Sequence, residues 1–574
     1  MINLYISNLL VVIIFLSYGS FINFILFKEN QINRAKIFNI LCGIVYLSFI
    51  AVLINFFSPL NHFINNLIFT VGILFFIFYI KKDIDFRNTI KLICIISAIS
   101  FLIMTLDNSN RPDAGLYHLP YISILNDNKT IFGLANIHFR FAHTSIIQHT
   151  SAIFNNSLFS TKGITIPISV IVSTIFIYFF KKFNTTHKNY FFLISYFLIT
   201  FFITIKVSRY NDIGNDSIGH LFFFVIIIIF INFFYENKFQ YKDFFFLSLF
   251  CIFAFTNKAF FVFSFIFPII FILYSKKYFF LIKKKTFLLF FLLFLFLLKN
   301  VTASSCLIYP IKMTCFKSLS WSSMGYQNHA NPEMKAIEGK AAVKAWSNFK
   351  EKDLSYEEYN ADFRWLETWM GSHFKYIMNK LIPLMVIILV LIILLISKEK
   401  FKDKTRIPLK INTLKLPLTF TTLLCLFASI YWFLNFPLYR YGYSFFISII
   451  ILIVSYLIYS CFEEKNKQQI FKILKIILII SITLIAIKNI LRIYSKYKIP
   501  YNEYPWPKIY SYNNKNIEQQ NYKIDISTYF SIYHPQHRLC MYSKGPCTHY
   551  TEISEQIDVK KILGYIVVMP KNKF

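Results

Sequence analysis

The residues best placed to do chemistry lie in short polar stretches at the ends of long apolar runs. The decapeptide RPDAGLYHLP, Arg111 to Pro120, sets Asp113 beside Tyr117 and His118. A carboxylate there can act as a general base on an acceptor hydroxyl, or as a ligand for a divalent cation such as Mg or Mn. The plainer role is an interfacial turn formed by Arg111 and Asp113, with Pro112 and Pro120 ending and restarting helices. A second acidic stretch, SRYNDIGNDSIGH from Ser208 to His220, puts Asp212 and Asp216 one helical turn apart and therefore on one face. Paired carboxylates are costly beside a helix that enters lipid at Ile218, although Asp and Asn also serve as helix caps.

Basic candidates occur in the same kind of place. FPLYRYGYSFF sets Arg440 between two apolar runs, and Lys258, with Asn257, interrupts the run from Phe244 to Leu273 as a broken or re-entrant element. A cation held there can bind a lipid phosphate; a snorkelling side chain is the alternative. From Tyr121 to Asn156 apolar and polar residues mix too densely for a span, which predicts one or two amphipathic helices lying in the interface. Arg140 in this segment is a further candidate contact for substrate. His138, His143 and His149 accompany it at spacings that do not repeat a metal-ligand pattern.

A membrane must position these residues. A hydrophobic content of 56% in 574 residues, with 70 Phe and 37 Tyr, exceeds what one soluble core can bury. The net charge of +32 is spread in short clusters between apolar runs, which points to membrane topology and away from nucleic acid. The first run is too long for a signal peptide and lacks a basic leader, so it reads as a first transmembrane helix. Roughly fourteen runs approach spanning length, from Asn3 to Phe27 through Ile473 to Ile493. The chain therefore reads as an all-α polytopic membrane protein of about 12–14 transmembrane helices.

Orientation follows from the basic connectors. Those holding Lys28 to Lys36, Lys81 to Arg87, Lys181 and Lys182, Lys276 to Lys285, Lys398 to Arg406 and Lys465 to Lys472 share the cytoplasmic side if the N-terminus is outside. Residues 1–493 then form the transmembrane domain, with outer loops 107–163, 206–217, 299–375 and 437–443, and residues 494–574 form an outer appendage with short β-like runs such as KIDIS and GYIVVMP. Asp113, Asp216 and Arg440 fall on one outer face. Cys306, Cys315, Cys540 and Cys547 also lie in outer segments, where an oxidising compartment permits disulfides. The outer loop that opens with SSCLIYP carries Trp, Tyr and Asn suited to stacking on sugar rings, or equally to an aromatic belt. No P-loop, GxGxxG, CxxC or HExxH occurs.

DAGLYHLP resembles the first-loop pattern of many bacterial GT-C glycosyltransferases, an acidic residue followed by Tyr-His-Leu-Pro. SSCLIYP and PLYRYGYSFF look like that superfamily's later aromatic-Pro and Pro-x-x-Arg segments, and RLCMYSKGPC is similar to a Cys-containing ending of a less characterised bacterial branch. The resemblance implies a polytopic enzyme of the bacterial inner membrane, active on the extracytoplasmic face. Its donor would be a polyprenyl-phosphate-linked sugar and its acceptor a glycan, lipid or protein, with membrane lipids as surroundings. Asp113 and Asp216 inherit catalytic or metal roles. Arg440 inherits a donor-phosphate role; Tyr117, His118, Lys258, Asp212 and Arg140 would contact substrate. The first loop lacks the Asp-x-Asp or Asp-Glu pair of some members, which leaves a metal-dependent mechanism open. Two rival readings remain: a surface-polysaccharide polymerase or ligase, which would lean on Arg440, and a non-enzymatic transporter of a lipid or polysaccharide precursor, favoured by the break at Asn257 and Lys258.

Overall fold

The computed structural model describes every residue except 1, 29–35, 84, 107–111, 144, 186–188, 208–212, 215, 350–353, 402–410, 497–505, 513–514, 517–520, 537 and 572–574. Arg111, Asn211, Asp212 and Asn215 therefore lie outside the described residues. The rest is mostly helix, with three small β-hairpins near the C-terminus.

Among the described residues, 11 helices are long and apolar enough to cross a membrane. Tyr190–Lys206, Tyr241–Asn257 and Ala259–Ser275 add shorter apolar helical segments. Each apolar run of the sequence forms one of these segments, because a bilayer leaves helix as the economical way to satisfy the backbone of a lone apolar stretch. Burial separates centre from periphery: Thr161–Thr185 and Asp216–Glu236 are each 83% buried over their most apolar window, against 17% for Lys467–Arg492. The outer helices present Phe287, Phe290, Phe294, Leu389 and Ile393 outward, as lipid contact requires. Close packing holds the first two helices together. A Cβ on Gly19 would stand 1.8 Å from the Asn39 carbonyl oxygen, so only glycine allows these backbones to touch.

The interruption at Lys258 is a hairpin turn. Tyr241–Asn257 ends there, Lys258 is extended, and a 3-10 turn over Ala259–Phe265 leads into Ile266–Ser275, which packs back against the first arm.

The connecting segments gather at two opposite ends. At one, Lys36 pairs with Asp83 at 3.5 Å, Glu463 N donates to Lys400 O, and Asn466 N donates to Glu399. These are the basic connectors. At the other end the first long loop, the large loop before Trp365 and the C-terminal tail meet. Gly133 N donates to Thr302 O, Asn136 Nδ2 to Trp321 O and Val568 O, and Ser123 Oγ to Ser543 O. The tail's hairpins are antiparallel, Asn521–Ser527 with Phe530–Pro535 and Ile557–Ile562 with Tyr565–Pro570 being the longer two.

One sequence expectation needs correction. The first-loop helices do not lie in the interface with an exposed polar face. Leu119–Asn126 is buried throughout, and so is Ile146–Ile153. Their polar side chains face inward because neighbouring carbonyls satisfy them: Asn126 Nδ2 donates to Leu60 O and Ala152 O, and Ser123 Oγ to Ser543 O.

Candidate functional site

Asp113 enters through a local device. The chain is helical from Pro112 to Asp127 without a stop, but Ala114–His118 is a single π turn, closed by Leu119 N donating to Ala114 O. Pro120 has no N–H to give to the carbonyl four residues back, and the wider turn absorbs that missing bond. Pro120 thus lies inside one continuous helix and neither ends it nor restarts it, and Pro112 is the first described residue of that helix. The tail fixes this turn from behind. Met541 N donates to Gly115 O at 2.8 Å, and a Cβ on Gly115 would stand 2.4 Å from Met541 Sδ.

Four elements deliver four charges. Asp113 comes from the turn just described, Asp216 is the first residue of Asp216–Glu236, Lys258 is the hairpin tip, and Arg440 is in the first turn of Tyr439–Cys461. Arg440 Nη1 donates to Asp113 Oδ2 at 2.9 Å, and its Nε lies 3.7 Å from Asp216 Oδ2. Lys258 pairs with the other oxygen of Asp216. The result is an alternating chain, Asp113, Arg440, Asp216, Lys258, with every side chain still 20–39% exposed. Two helices begin here, and their N-terminal dipoles favour negative charge at the same place.

Aromatic rings hold the cations in position. Lys258 Nζ lies 3.5 Å over the Tyr441 ring, whose hydroxyl accepts from Arg440 Nη2 at 3.3 Å. Arg140 stacks on Tyr117 at 4.8 Å, beside His118. The backbone carrying Arg440 is pinned by three side-chain donors: Trp369 Nε1 to Pro437 O, Trp432 Nε1 to Leu438 O, and His220 Nε2 to Arg440 O at 2.9 Å.

The electrostatics fit this arrangement. Burial alone would push the Asp113 carboxyl up, but the Arg440 guanidinium, its hydrogen bond and the Arg140 charge outweigh it and hold the carboxyl below its usual range. Burial pushes His118 down to about 4, against the opposing pull of Asp113 and Asp216, so the ring is neutral near neutral pH. The Tyr117 hydroxyl is pushed up by burial.

All described residues singled out in the sequence as catalytic or substrate-binding, namely Asp113, Tyr117, His118, Arg140, Asp216, Lys258 and Arg440, meet in this one region. Both cysteine pairs, Cys306 with Cys315 and Cys540 with Cys547, form disulfides. Asp113 and Asp216 are each already matched by a protein cation, and no group of three or more His, Cys, Asp or Glu suited to a metal occurs among the described residues. Sequence reasoning missed Gln148, Trp369, Trp432 and Tyr441. Ser145 and Gln148 carry a legible signal, the capping box S-x-x-Q, whereas the indole bond from Trp369 to Pro437 joins segments 68 residues apart and leaves no local trace. A small cavity of about 20 Å³ lined by Tyr121, Leu134 and Lys299 lies apart from the four charges.

One family, described as a domain of unknown function, DUF8201, matches residues 1–447. The chain belongs to the DUF8201 family. The matched region contains all four charged residues and leaves the tail that braces Gly115 outside it. No curated protein and no solved structure matches the chain.

Proposed function

We propose that this DUF8201 chain is a membrane glycosyltransferase that moves a sugar from a polyprenyl-phosphate-linked donor to an extracytoplasmic acceptor, a glycan, lipid or protein, in the bacterial cytoplasmic membrane. The observation that carries the reading is the alternating chain of Asp113, Arg440, Asp216 and Lys258, assembled from four elements at one end of an apolar bundle and open to solvent. A lipid-linked phosphate needs just such a place: cations where water meets the ends of spanning helices, with the lipid tail left among apolar surfaces.

The paired state of Asp113 suggests the order of events. A carboxylate held low by Arg440 is a weak base. When the donor's phosphate takes Arg440, Asp113 loses its counter-ion and burial raises its proton affinity. The acceptor hydroxyl then gives its proton to Asp113 as its oxygen attacks the anomeric carbon. The bond from that carbon to the phosphate oxygen breaks with inversion, the phosphate leaves with the electron pair, and Arg440 with Lys258 stabilises the charge.

Asp113→Asn protein reconstituted with lipid-linked sugar tests the base. Transfer should fall by about 100-fold or more, and near-normal transfer removes Asp113 from the mechanism. Running Arg440→Gln alongside separates this reading from a polymerase or ligase, for which only the arginine variant fails. The transport reading loses its main support, because the break at Lys258 faces the charged end as a hairpin tip. Labelled donor recovered unchanged on the opposite leaflet, without glycosylated product, would nonetheless establish transport.

A further inference from the structure

We infer that Gln148, a residue outside the charged chain, fixes His118 as a neutral imidazole with its proton on Nε2, so that His118 offers the site an uncharged hydrogen-bond donor. What the donor is used for rests on the transferase reading; where the proton sits does not.

The argument runs through a series of bonds whose directions are forced. Asn257 Nδ2 donates to Phe253 O at 2.7 Å, which leaves its Oδ1 to accept from Ser145 Oγ at 2.9 Å. Ser145 N donates to Gln148 Oε1 at 2.9 Å and so identifies the oxygen of that amide. The other end of Gln148 is then an NH2 group, and it lies 3.0 Å from His118 Nδ1. An NH2 can only donate, so Nδ1 accepts and carries no proton. A neutral imidazole has one proton, which must be on Nε2. His118 itself is only 4% exposed.

The same contact opposes ionisation, since a protonated Nδ1 would face the amide hydrogens. The charged groups around the ring are balanced: Asp113 and Asp216 favour the imidazolium, while Arg140 and Arg440 disfavour it, and the neighbouring Tyr117 ring lies 4.2 Å away. His118 thus adds a directed donor for a phosphate or leaving oxygen without adding a third positive charge beside Arg440 and Lys258. The series starts at Asn257, next to Lys258, so the hairpin that brings the lysine also sets the histidine.

Gln148→Glu isolates this device. Glu serves equally well at the third position of the capping box, so the helix start is kept, but both of its oxygens accept. His118 must then protonate Nδ1, either by changing tautomer or by ionising. Imidazole nitrogen NMR on histidine-labelled full-length protein in lipid reads this directly among the 12 histidines, with His118→Asn identifying the signal. The expected result near pH ~7 is a neutral ring protonated at Nε2 in the native protein and a proton on Nδ1 in Gln148→Glu. Protonation of Nδ1 in the native protein, or the same state in both, overturns the inference. In transfer assays Gln148→Glu should lose about 10- to 100-fold, and His118→Gln, whose amide nitrogen replaces Nε2, should retain more transfer than His118→Asn. A native protein with no transfer at all sinks the transferase reading and leaves the nitrogen spectra to decide the tautomer.

Discussion

Replacing Asp113 by Asn should make the protein bind lipid phosphate more tightly while making it a poorer enzyme. Asp113 and an incoming phosphate compete for the same guanidinium, so removing the carboxylate removes the competitor. The size follows from geometry. With Arg440 Nη1 2.9 Å from Asp113 Oδ2, the charge centres lie roughly 4 Å apart, worth about 1 kcal/mol in water and about 4 kcal/mol at an effective dielectric near ~20. Asp113 is 29% and Arg440 39% exposed, so solvent screening selects the lower end, about 1 kcal/mol. That corresponds to roughly fivefold in affinity. Binding of a polyprenyl phosphate to protein in lipid nanodiscs measures it. Asp113→Asn should bind about fivefold more tightly, Arg440→Gln about tenfold or more weakly, and the double variant no better than Arg440→Gln alone. If Asp113→Asn binds as the native protein does, or more weakly, the competition argument fails.

Other outcomes follow from the parts that position the site. Gly115→Val would drive its side chain into Met541 and should cost about 1–3 kcal/mol of thermal stability, with Met541→Ala restoring most of it; additive losses would refute the contact. Cys540 and Cys547 are separated by 7 residues, so replacing both by Ser should destabilise the tail by about 2–3 kcal/mol on chain-entropy grounds, and peptide mapping should recover both disulfides with Cys42, Cys94, Cys251, Cys425 and Cys461 as thiols. His118 is held at about 4 in the fold and titrates near ~6.5 when unfolded. Between those values the unfolded chain binds a proton that the native chain refuses. The native protein should therefore lose stability as pH falls through that window, up to about 3 kcal/mol from this ring. A His118→Asn variant with the same pH dependence of unfolding temperature would refute that assignment.

Local pattern carried the helices and non-local pattern the site. Each spanning segment follows from its own run of apolar residues, which is why the ends of the helices near Phe27, Phe57 and Asn435 fall close to where hydropathy puts them. The convergence of Asp113 with Arg440, 327 residues apart, is legible only through parity: counting spans puts both at one end, and nothing in either stretch says that they touch. Two features were hidden for opposite reasons. The segment from Tyr121 to Asn156 looks amphipathic because it mixes Asn, Ser and Gln with apolar residues, yet Ser123, Asn126 and Asn136 are buried and bonded to carbonyls of other segments. The break at Asn257 and Lys258 looks like the broken helix of a transporter because a polar pair inside an apolar run gives no indication of depth. Only packing of its two arms shows the pair to be a tip.

The alternating charges also distinguish the two carboxylates. Asp216 has two cations within reach, Lys258 on one oxygen and Arg440 at 3.7 Å from the other, whereas Asp113 has Arg440 as its direct ion-pair partner. An anion that draws Arg440 away therefore leaves Asp216 still paired with Lys258 and strips Asp113 of its counter-ion. On the proposed reading the two acids part company at the moment the donor binds. Asp216 stays ionised as part of the scaffold that holds Lys258 against Tyr441, and Asp113 becomes the group with a raised proton affinity next to the reacting centre. The asymmetry needs no difference in the acids themselves. It comes from where the hairpin tip stands, so the lysine that broke an apolar run in the sequence is what reserves the base role for Asp113.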